Sequence, residues 1–317
     1  MSEFLRRHWF LVAYALVVAL ALGFPQAIAR GGSLHLELWT PWCIAAIFFV
    51  SGLALSPAVL REAAVDWRAH LLVQGICFAG GAALGWLLVR LAAPLGLPAD
   101  LGAGLLLVAC LPTTIAGCVV ITALAGGNRA IAAIGAVVGN ALGLLVTPLL
   151  AHALLAIEAE LSLPAVIGKL ALITLLPLLL GQALRQLAPA ACEARRHCFS
   201  VVNGVLLLSI LGSVFADLAL AGRSAGLLAA LPLCLALFSL LFALGWSLPA
   251  LLAMPRRDRI AIAITASQKT VTLGVPLAHA LGADGPAVLL PLALYHAVQI
   301  VGGSLLAGRL HSTAEGA

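Results

Sequence analysis

Charged residues are scarce in this chain: they make up 9% of its 317 residues, whereas 63% are hydrophobic. Soluble domains carry about 25% charged residues, and no soluble core could absorb this apolar excess. Runs without a charge, such as 9–29 and 131–155, exceed the roughly 20 residues that a helix needs to cross a bilayer. The scarcity of charge therefore excludes a soluble globular protein and predicts an integral membrane protein within a lipid bilayer.

Motifs for several functions are also missing. Without a G-x-x-x-x-G-K-[ST] phosphate loop a primary pump is disfavoured. An intramembrane enzyme is also disfavoured, because the sequence has no paired aspartates, no His-Glu-x-x-His helix and no serine with a positioned base. No basic cluster with interleaved aromatic residues is present, so the net charge of +5 predicts basic cytoplasmic loops and no nucleic-acid binding. Five of the seven cysteines lie in apolar segments, and we expect no metal site and no cofactor.

Charges, prolines and glycine clusters divide the chain into ten predicted helical spans. With both termini cytoplasmic, twelve of the 17 basic residues lie nearer the inner span ends and four nearer the outer ends. This asymmetry predicts that orientation in the plasma (inner) membrane, and it leaves Lys269 inside span nine. We place the spans at 9–29, 42–60, 69–91, 101–124, 130–155, 164–186, 199–220, 225–251, 260–281 and 286–309.

The ten spans form two halves of five, residues 1–158 and 159–317. Because five is odd, the second half would enter the membrane inverted, as in transporters built from inverted repeats. The fourth span of each half is interrupted, by Leu111-Pro112-Thr113-Thr114 in one and by Ser267-Gln268-Lys269-Thr270 with Gly274-Val275-Pro276 in the other. We predict unwinding at Thr113 to Gly117 and at Ser267 to Thr270, and with it a substrate site near the bilayer midplane. The alternative is a simple proline kink in each span.

Lys269 is the strongest candidate for a functional residue. A lysine at mid-membrane costs roughly 2.5 to 3.5 kcal/mol on insertion scales, so it should face protein or a wet cavity. It could stand in for a bound ion, pair with an anionic substrate or carry a proton, because a desolvated lysine changes its pKa readily. The alternative is a structural cation bonded to the unwound carbonyls of span four.

Other polar residues lie near the same interruptions or between helices. The hydroxyl and amide groups at the breaks could cap half-helices or contact a ligand. Tyr295, His296 and Gln299 share one face of span ten, where His296 could relay a proton or form an interhelical hydrogen bond. The candidates for substrate or ion binding from this reasoning are Gln74, Thr113, Thr114, Asn140, Ser267, Gln268, Lys269, Thr270, His296 and Gln299.

Several motifs occur in the order found in one family of transporters. The chain resembles the bile acid:sodium symporter family over essentially its whole length, and within it the branch represented by the seventh member of human solute carrier family 10. The motifs are Phe48-Phe49-Val50-Ser51-Gly52-Leu53, His70-Leu71-Leu72-Val73-Gln74, Leu111-Pro112-Thr113-Thr114 with Gly126-Gly127-Asn128, Ser267-Gln268-Lys269-Thr270 through Pro276, and Tyr295-His296-Ala297-Val298-Gln299.

The resemblance implies a panel domain of spans 1, 2, 6 and 7 that moves against a core domain of spans 3–5 and 8–10. Spans four and nine would cross at their unwound centres. Sodium-coupled members bind two sodium ions with side chains of spans three, four, five and nine, and translocate organic anions. The acidic sodium ligand of span nine falls on Ile264, and the serine-asparagine pair of span four falls near Gly117 and Cys118; Gln74 and Gln268 match.

These correspondences complete the functional prediction. We expect an all-α secondary transporter that moves a small organic anion by alternating access, with altered sodium sites. Gly117 and Cys118 join the candidate site residues, and sodium or a proton is the possible coupling ion. The alternative is a channel-like protein or a non-transporting membrane regulator with a degenerate transporter fold. The oligomeric state stays open.

Overall fold

The computed structural model describes residues 3–54, 66–155, 162–220, 224–283 and 285–315, and these ranges contain helices and no β-strand. Two π-helical segments, Gly75–Gly80 and Ala171–Leu175, and a 3-10 turn at Ala93–Leu95 connect some of the α-helices. The α-helices are α1 (Glu3–Gly23), α2 (Pro25–Ile28), α3 (Leu36–Ala54), α4 (Trp67–Gln74), α5 (Gly81–Ala92), α6 (Ala99–Cys110), α7 (Ile115–Leu124), α8 (Arg129–Leu155), α9 (Leu163–Leu170), α10 (Leu176–Leu187), α11 (Pro189–Ala194), α12 (Arg196–Leu220), α13 (Ser224–Leu251), α14 (Arg256–Ser267), α15 (Val271–Ala280) and α16 (Pro286–Glu315).

Eight helical stretches of the described chain are long and apolar enough to cross a membrane. Two shorter apolar helices, Val12–Gly23 and Ala99–Cys110, overlap predicted spans one and four. The all-helical fold is therefore confirmed, whereas the count of ten spans and the inverted repeat stay predictions. The eight stretches are Leu36–Ala54, Trp67–Leu95, Arg129–Leu155, Leu163–Leu187, Arg196–Leu220, Gly226–Leu251, Arg256–Ala280 and Pro286–His311.

The predicted start of span two was wrong. We placed it at residue 42, after Pro41, but α3 begins at Leu36 and carries Pro41 inside it. A proline close to a helix N-terminus removes one backbone donor without ending the helix. The predicted end of this span, residues 55–60, lies outside the described residues.

Contacts divide the chain into two compact units. The first comprises Met1–Ala54 and Ala171–Ala225, where α3 packs on α10 and α12, and α1 packs on α12. Glycines allow the closest of these approaches: a Cβ on Gly52 would clash with the Leu178 carbonyl oxygen, and one on Gly181 with that of Phe49. Small residues at such contacts bring helix backbones together, as is common in membrane bundles.

The second unit comprises Leu55–Leu170 and Gly226–Ala317. Within it α8 contacts α6, α7 and α14, while α16 contacts α6, α7 and α15. The stretch that holds Lys269, Arg256–Ala280, has the lowest mean hydropathy of the eight candidate spans, 1.3, and is enclosed by protein along that window. A span that never meets lipid can carry polar groups, which is what the candidate site requires.

Candidate functional site at two helix breaks

Two interrupted helices meet inside the second unit. The first break separates α6 from α7 at residues 111–114, and the second separates α14 from α15 at 268–270. The Thr270 amide donates to the Pro112 carbonyl oxygen at 2.8 Å, and the Thr114 hydroxyl donates to the Gln268 Oε1 at 3.4 Å. Both interruptions that the polar runs predict are present, and they contact each other.

The first break has a local cause. A residue before proline is pushed out of the helical region, and Leu111, which precedes Pro112, is extended with φ −71° and ψ 149°. Helix α6 therefore ends at Cys110, whose carbonyl oxygen accepts a hydrogen bond from the Thr147 hydroxyl at 2.9 Å. Asn140 likewise satisfies a carbonyl within the break, because its Nδ2 donates to Thr113 O at 2.8 Å.

The second break has no proline and is held by helix α16. The Gln299 side chain accepts from the Lys269 amide at 2.6 Å and donates to the Lys269 carbonyl oxygen at 2.9 Å. The Tyr295 hydroxyl donates to the Ser267 carbonyl oxygen at 2.7 Å. These bonds replace the ones that a continuous helix would make, so Gln268 stays extended, with φ −81° and ψ 145°.

The ammonium of Lys269 is buried, with 1% of the side chain exposed. Its Nζ donates to three backbone carbonyl oxygens, those of Cys77 at 2.6 Å and of Ala109 and Leu111 at 2.9 Å each. An ammonium has three donors, so its capacity is fully used. Within the described chain Lys269 forms no ion pair, and the C-terminal end of α6 contributes its negative dipole end instead.

A π-helical segment supplies the third carbonyl. At the end of this segment the Gly81 amide donates to Ile76 O and Phe78 O. It does not bond to Cys77 O, which accepts from Lys269 instead. Gly81 also lets the helices approach, because a Cβ there would clash with Ala109 O and lie 2.9 Å from the Lys269 Nζ. Cys77, Ala109 and Gly81 were not among the residues predicted for the site. The glycines at 75, 80 and 81 were the available sign of an irregular helix.

The remaining predicted residues at the breaks are close together. Gln268 Nε2 donates to the Gln299 carbonyl oxygen at 3.3 Å, and Gln299 Nε2 contacts His296 Nδ1 at 3.0 Å. The Ser267 hydroxyl donates back into α14, to Ala263 O at 2.8 Å, so it caps the half-helix. The Thr270 and Thr272 hydroxyls form a hydrogen bond of 2.7 Å.

The family follows from sequence comparison. The model of the SBF-like CPA transporter family matches residues 8–312. The chain belongs to this family. This confirms the resemblance that the motifs indicated, and it makes the chain a membrane transporter of the bile acid:sodium symporter type, not an enzyme.

Individual relatives span nearly the whole chain. Sodium/bile acid cotransporter 7 of Danio rerio is 30% identical over 315 residues, covering 95% of this chain and 93% of the relative. The protein of the same name from Rattus norvegicus is 28% identical over 320 residues, covering 98% and 94%. An uncharacterized protein of Pseudomonas aeruginosa is 33% identical over 276 residues, covering 84% and 82%.

Ile264 and Cys118, where the sequence predicts that sodium ligands are replaced, lie in an apolar core. Ile264 and Cys118 are fully buried in one hydrophobic cluster, whose other members include Ala132 and Ala136. The Cys118 thiol donates to the Ala132 carbonyl oxygen at 3.7 Å. No carboxylate of the described residues belongs to this cluster.

Two details of the predicted interruptions were wrong. Gly117 lies in the first turn of α7, where a Cβ would be 2.8 Å from the Thr114 hydroxyl, so unwinding ends at Thr114. Gly274-Val275-Pro276 lies inside α15, because the helix restarts at Val271 and tolerates Pro276 within it. The second break is thus three residues long, 268–270.

Gln74 forms a hydrogen bond to a neighbouring helix and not to the breaks. Its Nε2 donates to the Gly135 carbonyl oxygen of α8 at 2.8 Å. A Cβ on Gly139, one turn further along α8, would lie 2.9 Å from the Gln74 Oε1, so this side chain fills a groove between α4 and α8.

Proposed function

We propose that this SBF-like protein is a secondary transporter that moves a small organic anion across the plasma (inner) membrane by alternating access. The observation that carries the proposal is the contact between two broken half-helix pairs within a chain of a transporter family. Broken helices with opposed ends form the binding sites of many secondary transporters. The Danio rerio and Rattus norvegicus relatives are named sodium/bile acid cotransporters, which supports an organic anion as the substrate.

The proposal includes ten spans, in two inverted halves of residues 1–158 and 159–317, with both termini cytoplasmic. Its panel domain would hold spans 1, 2, 6 and 7, and its core domain spans 3–5 and 8–10. The two compact units support this division, because Met1–Ala54 and Ala171–Ala225 form one unit and the rest of the chain forms the other. The asymmetry of the basic residues supports the orientation.

The anion is proposed to bind at the N-terminal ends of α7 and α15. The residues that precede these helices, Thr114 and Thr270, make no capping bond with their side chains, so amides of the first turns stay available. Helix N-termini carry the positive dipole end, which suits a carboxylate or sulfonate. Thr114 and Gly117 are partly exposed, as a ligand contact requires. Lys269 is not the counter-charge in this proposal, since its three donors are occupied.

The Lys269 ammonium is proposed to act as a built-in cation in place of a coupling sodium ion. The relatives' names suggest sodium, but sodium sites favour several oxygen ligands and a carboxylate, and the position of the acidic ligand is Ile264 in an apolar cluster. A proton remains the candidate coupling ion, with His296 beside Gln299 as a group that could relay it.

Uptake by proteoliposomes tests the proposal. The purified chain is reconstituted and supplied with a panel of labelled organic anions under an imposed sodium gradient, a proton gradient or neither. We expect uptake of at least one anion that is unchanged when potassium replaces sodium. Thr114→Val should raise the KM for that anion, whereas Thr40→Val, in α3 of the first unit, should not.

Two results would contradict the proposal. Wild-type protein that transports none of the anions under any gradient would argue against a transporter of organic anions. Uptake that depends on sodium would instead leave the transporter in place and remove the built-in cation from its mechanism.

A further inference from the structure

A basic surface lies at one end of the second unit. It consists of Arg129, Arg256, Arg257 and Arg309, all of them exposed. They come from three separate parts of the chain: the start of α8, the start of α14 and the end of α16. The orientation predicted from the basic residues places all of them on the cytoplasmic side.

Hydrogen bonds bring these three segments together. The Asn128 amide donates to the Arg257 carbonyl oxygen at 3.0 Å, which joins the start of α8 to the start of α14. Arg256 Nη2 donates to the Leu310 carbonyl oxygen at 2.8 Å, which joins α14 to the end of α16 beside Arg309. The three segments that carry the basic surface are therefore joined by one backbone hydrogen bond and one bond from the Arg256 side chain.

The charge of this surface is not cancelled by its nearest acidic residue. The Asp258 carboxylate accepts a hydrogen bond from Asn128 Nδ2 at 2.8 Å. Arg129 and Arg257 form no ion pair with any residue that the structure describes. Like charges on one surface repel each other, so an anion bound beside Arg129 and Arg257 would relieve that repulsion.

An apolar border lies next to the basic surface. Leu251 and Leu252, which end α13 and precede α14, are 82% and 61% exposed. Exposed leucines followed within four residues by exposed arginines match the boundary between acyl chains and phosphate headgroups. Arg259, at the inner edge, lies over the Trp246 ring with its Cζ 4.4 Å from the centroid, an arrangement common at membrane interfaces.

We propose that the basic surface binds the headgroup of an anionic phospholipid, with the leucines against its acyl chains. Guanidinium groups suit this role because their planar N–H pairs match phosphate oxygens. A lipid bound here would bridge the starts of α8 and α14, which lead into the second unit, and so stabilise that unit. The site is independent of the transported anion, since it contains none of the residues at the helix breaks.

Native mass spectrometry of the detergent-purified full chain tests this. Phosphatidylglycerol and phosphatidylcholine are titrated separately against wild type, Arg129→Gln/Arg257→Gln and the control Arg90→Gln/Lys169→Gln. The control removes the same charge from exposed residues of the second unit that the sequence places at the other membrane face. We expect wild type to prefer phosphatidylglycerol, and each lost arginine to weaken that binding about fivefold, or roughly thirtyfold for the pair. The control should change binding by less than about threefold.

Each outcome bears on the proposal. Equal binding of the two lipids by wild type, or equal losses in the two double variants, would overturn it. So would inorganic phosphate that displaces the lipid at similar concentrations, because the site would then recognise a free anion. If the double variant does not fold, Arg129→Gln alone keeps the test and should show the fivefold loss.

Discussion

Lys269 shows how a membrane-buried cation can be stabilised without a counter-charge. Three carbonyl oxygens lie 2.6 to 2.9 Å from its Nζ, and they replace water much as carbonyl rings replace the hydration shell of an ion in a channel filter. The acceptors are available because one helix ends at a proline and another contains a π-helical segment. The residue therefore binds helix breaks together in the way that a metal ion would.

Lys269→Met is expected to destabilise the chain. The substitution keeps the length of the side chain but removes three donors, and each buried carbonyl left without a partner costs about 1 to 3 kcal/mol. Thermal unfolding in detergent should show a clear drop in Tm. Lys169→Met, at an exposed lysine of α9, is the matched control and should leave Tm nearly unchanged. A Lys269→Met variant as stable and as active as wild type would remove Lys269 from the mechanism.

A second charged residue gives a pH-dependent prediction. The hydrogen bond from Arg185 to the Glu193 carboxylate, 2.7 Å long, and the nearby Arg196 hold the pKa of Glu193 below its ordinary value. A lowered pKa in the folded state stabilises the fold above the unfolded value, near pH 4.3, and this contribution is lost as the pH falls through the folded pKa.

Glu193→Gln should therefore lower Tm at pH 7, and its difference from wild type should shrink as the pH falls below about 4. Arg185 is buried and also donates to Leu53 O at 2.6 Å, so the effect should concentrate on the end of α3. Arg196→Gln is the comparison, because that guanidinium is exposed and pairs with Glu193 at 3.6 Å, and its effect should be smaller. A Glu193→Gln effect that is equal at all pH values would show that the carboxylate charge is not involved.

At the scale of helices, the two breaks differ in how far sequence predicts them. Pro112 ends α6 by local sterics, so its position can be predicted from the dipeptide alone. The break at Lys269 has no such residue, and only its run of polar side chains indicated it. Its ends are set by Gln299 and Tyr295 of another helix, which is why the extent of unwinding was predicted less well than its existence.

For a related reason the sequence indicated only that unwound carbonyls of span four could bond to Lys269, and not which three carbonyls accept. Cys77, Ala109 and Leu111 contribute backbone oxygens, and a carbonyl that faces a ligand has no residue preference to detect. The role of Gln74 in binding stays a prediction. Its side chain matches a motif, and its Nε2 donates to Gly135 in a neighbouring helix, as an amide between helices often does.

Gly81→Ala tests the packing of α5 on α6. A methyl group there would press on Ala109 O and lie 2.9 Å from the Lys269 Nζ, so the helices must separate. Overpacking of this kind costs about 1 to 3 kcal/mol. Gly75→Ala is the matched control in the same π-helical region, since nothing lies within 4 Å of a Cβ there. Tm values in detergent should fall for Gly81→Ala only, and equal effects of the two substitutions would contradict the close approach.

At the scale of the whole molecule, family membership and site chemistry lead to different expectations about sodium. The relatives are named sodium/bile acid cotransporters. In this chain Ile264 and Cys118 are packed in an apolar cluster, while an ammonium occupies carbonyl oxygens at the breaks. Under the proposed mechanism the family fold is kept while its sodium ion is exchanged for the Lys269 side chain, and the effect of sodium on stability can test this exchange.

Sodium should leave the stability of the wild-type protein unchanged. A ligand at 100 times its Kd stabilises the folded state by about 2.7 kcal/mol, so a millimolar sodium site would raise Tm by several degrees when 100 mM sodium replaces potassium at constant ionic strength. We expect no such rise in wild type. Lys269→Ala provides the complementary arm, because its vacated carbonyl oxygens could then accept a cation, and sodium should stabilise this variant more than wild type. A sodium-dependent rise in wild type that disappears in Gln268→Ala would mean that a sodium site persists beside Lys269, and the built-in cation would not replace the coupling ion.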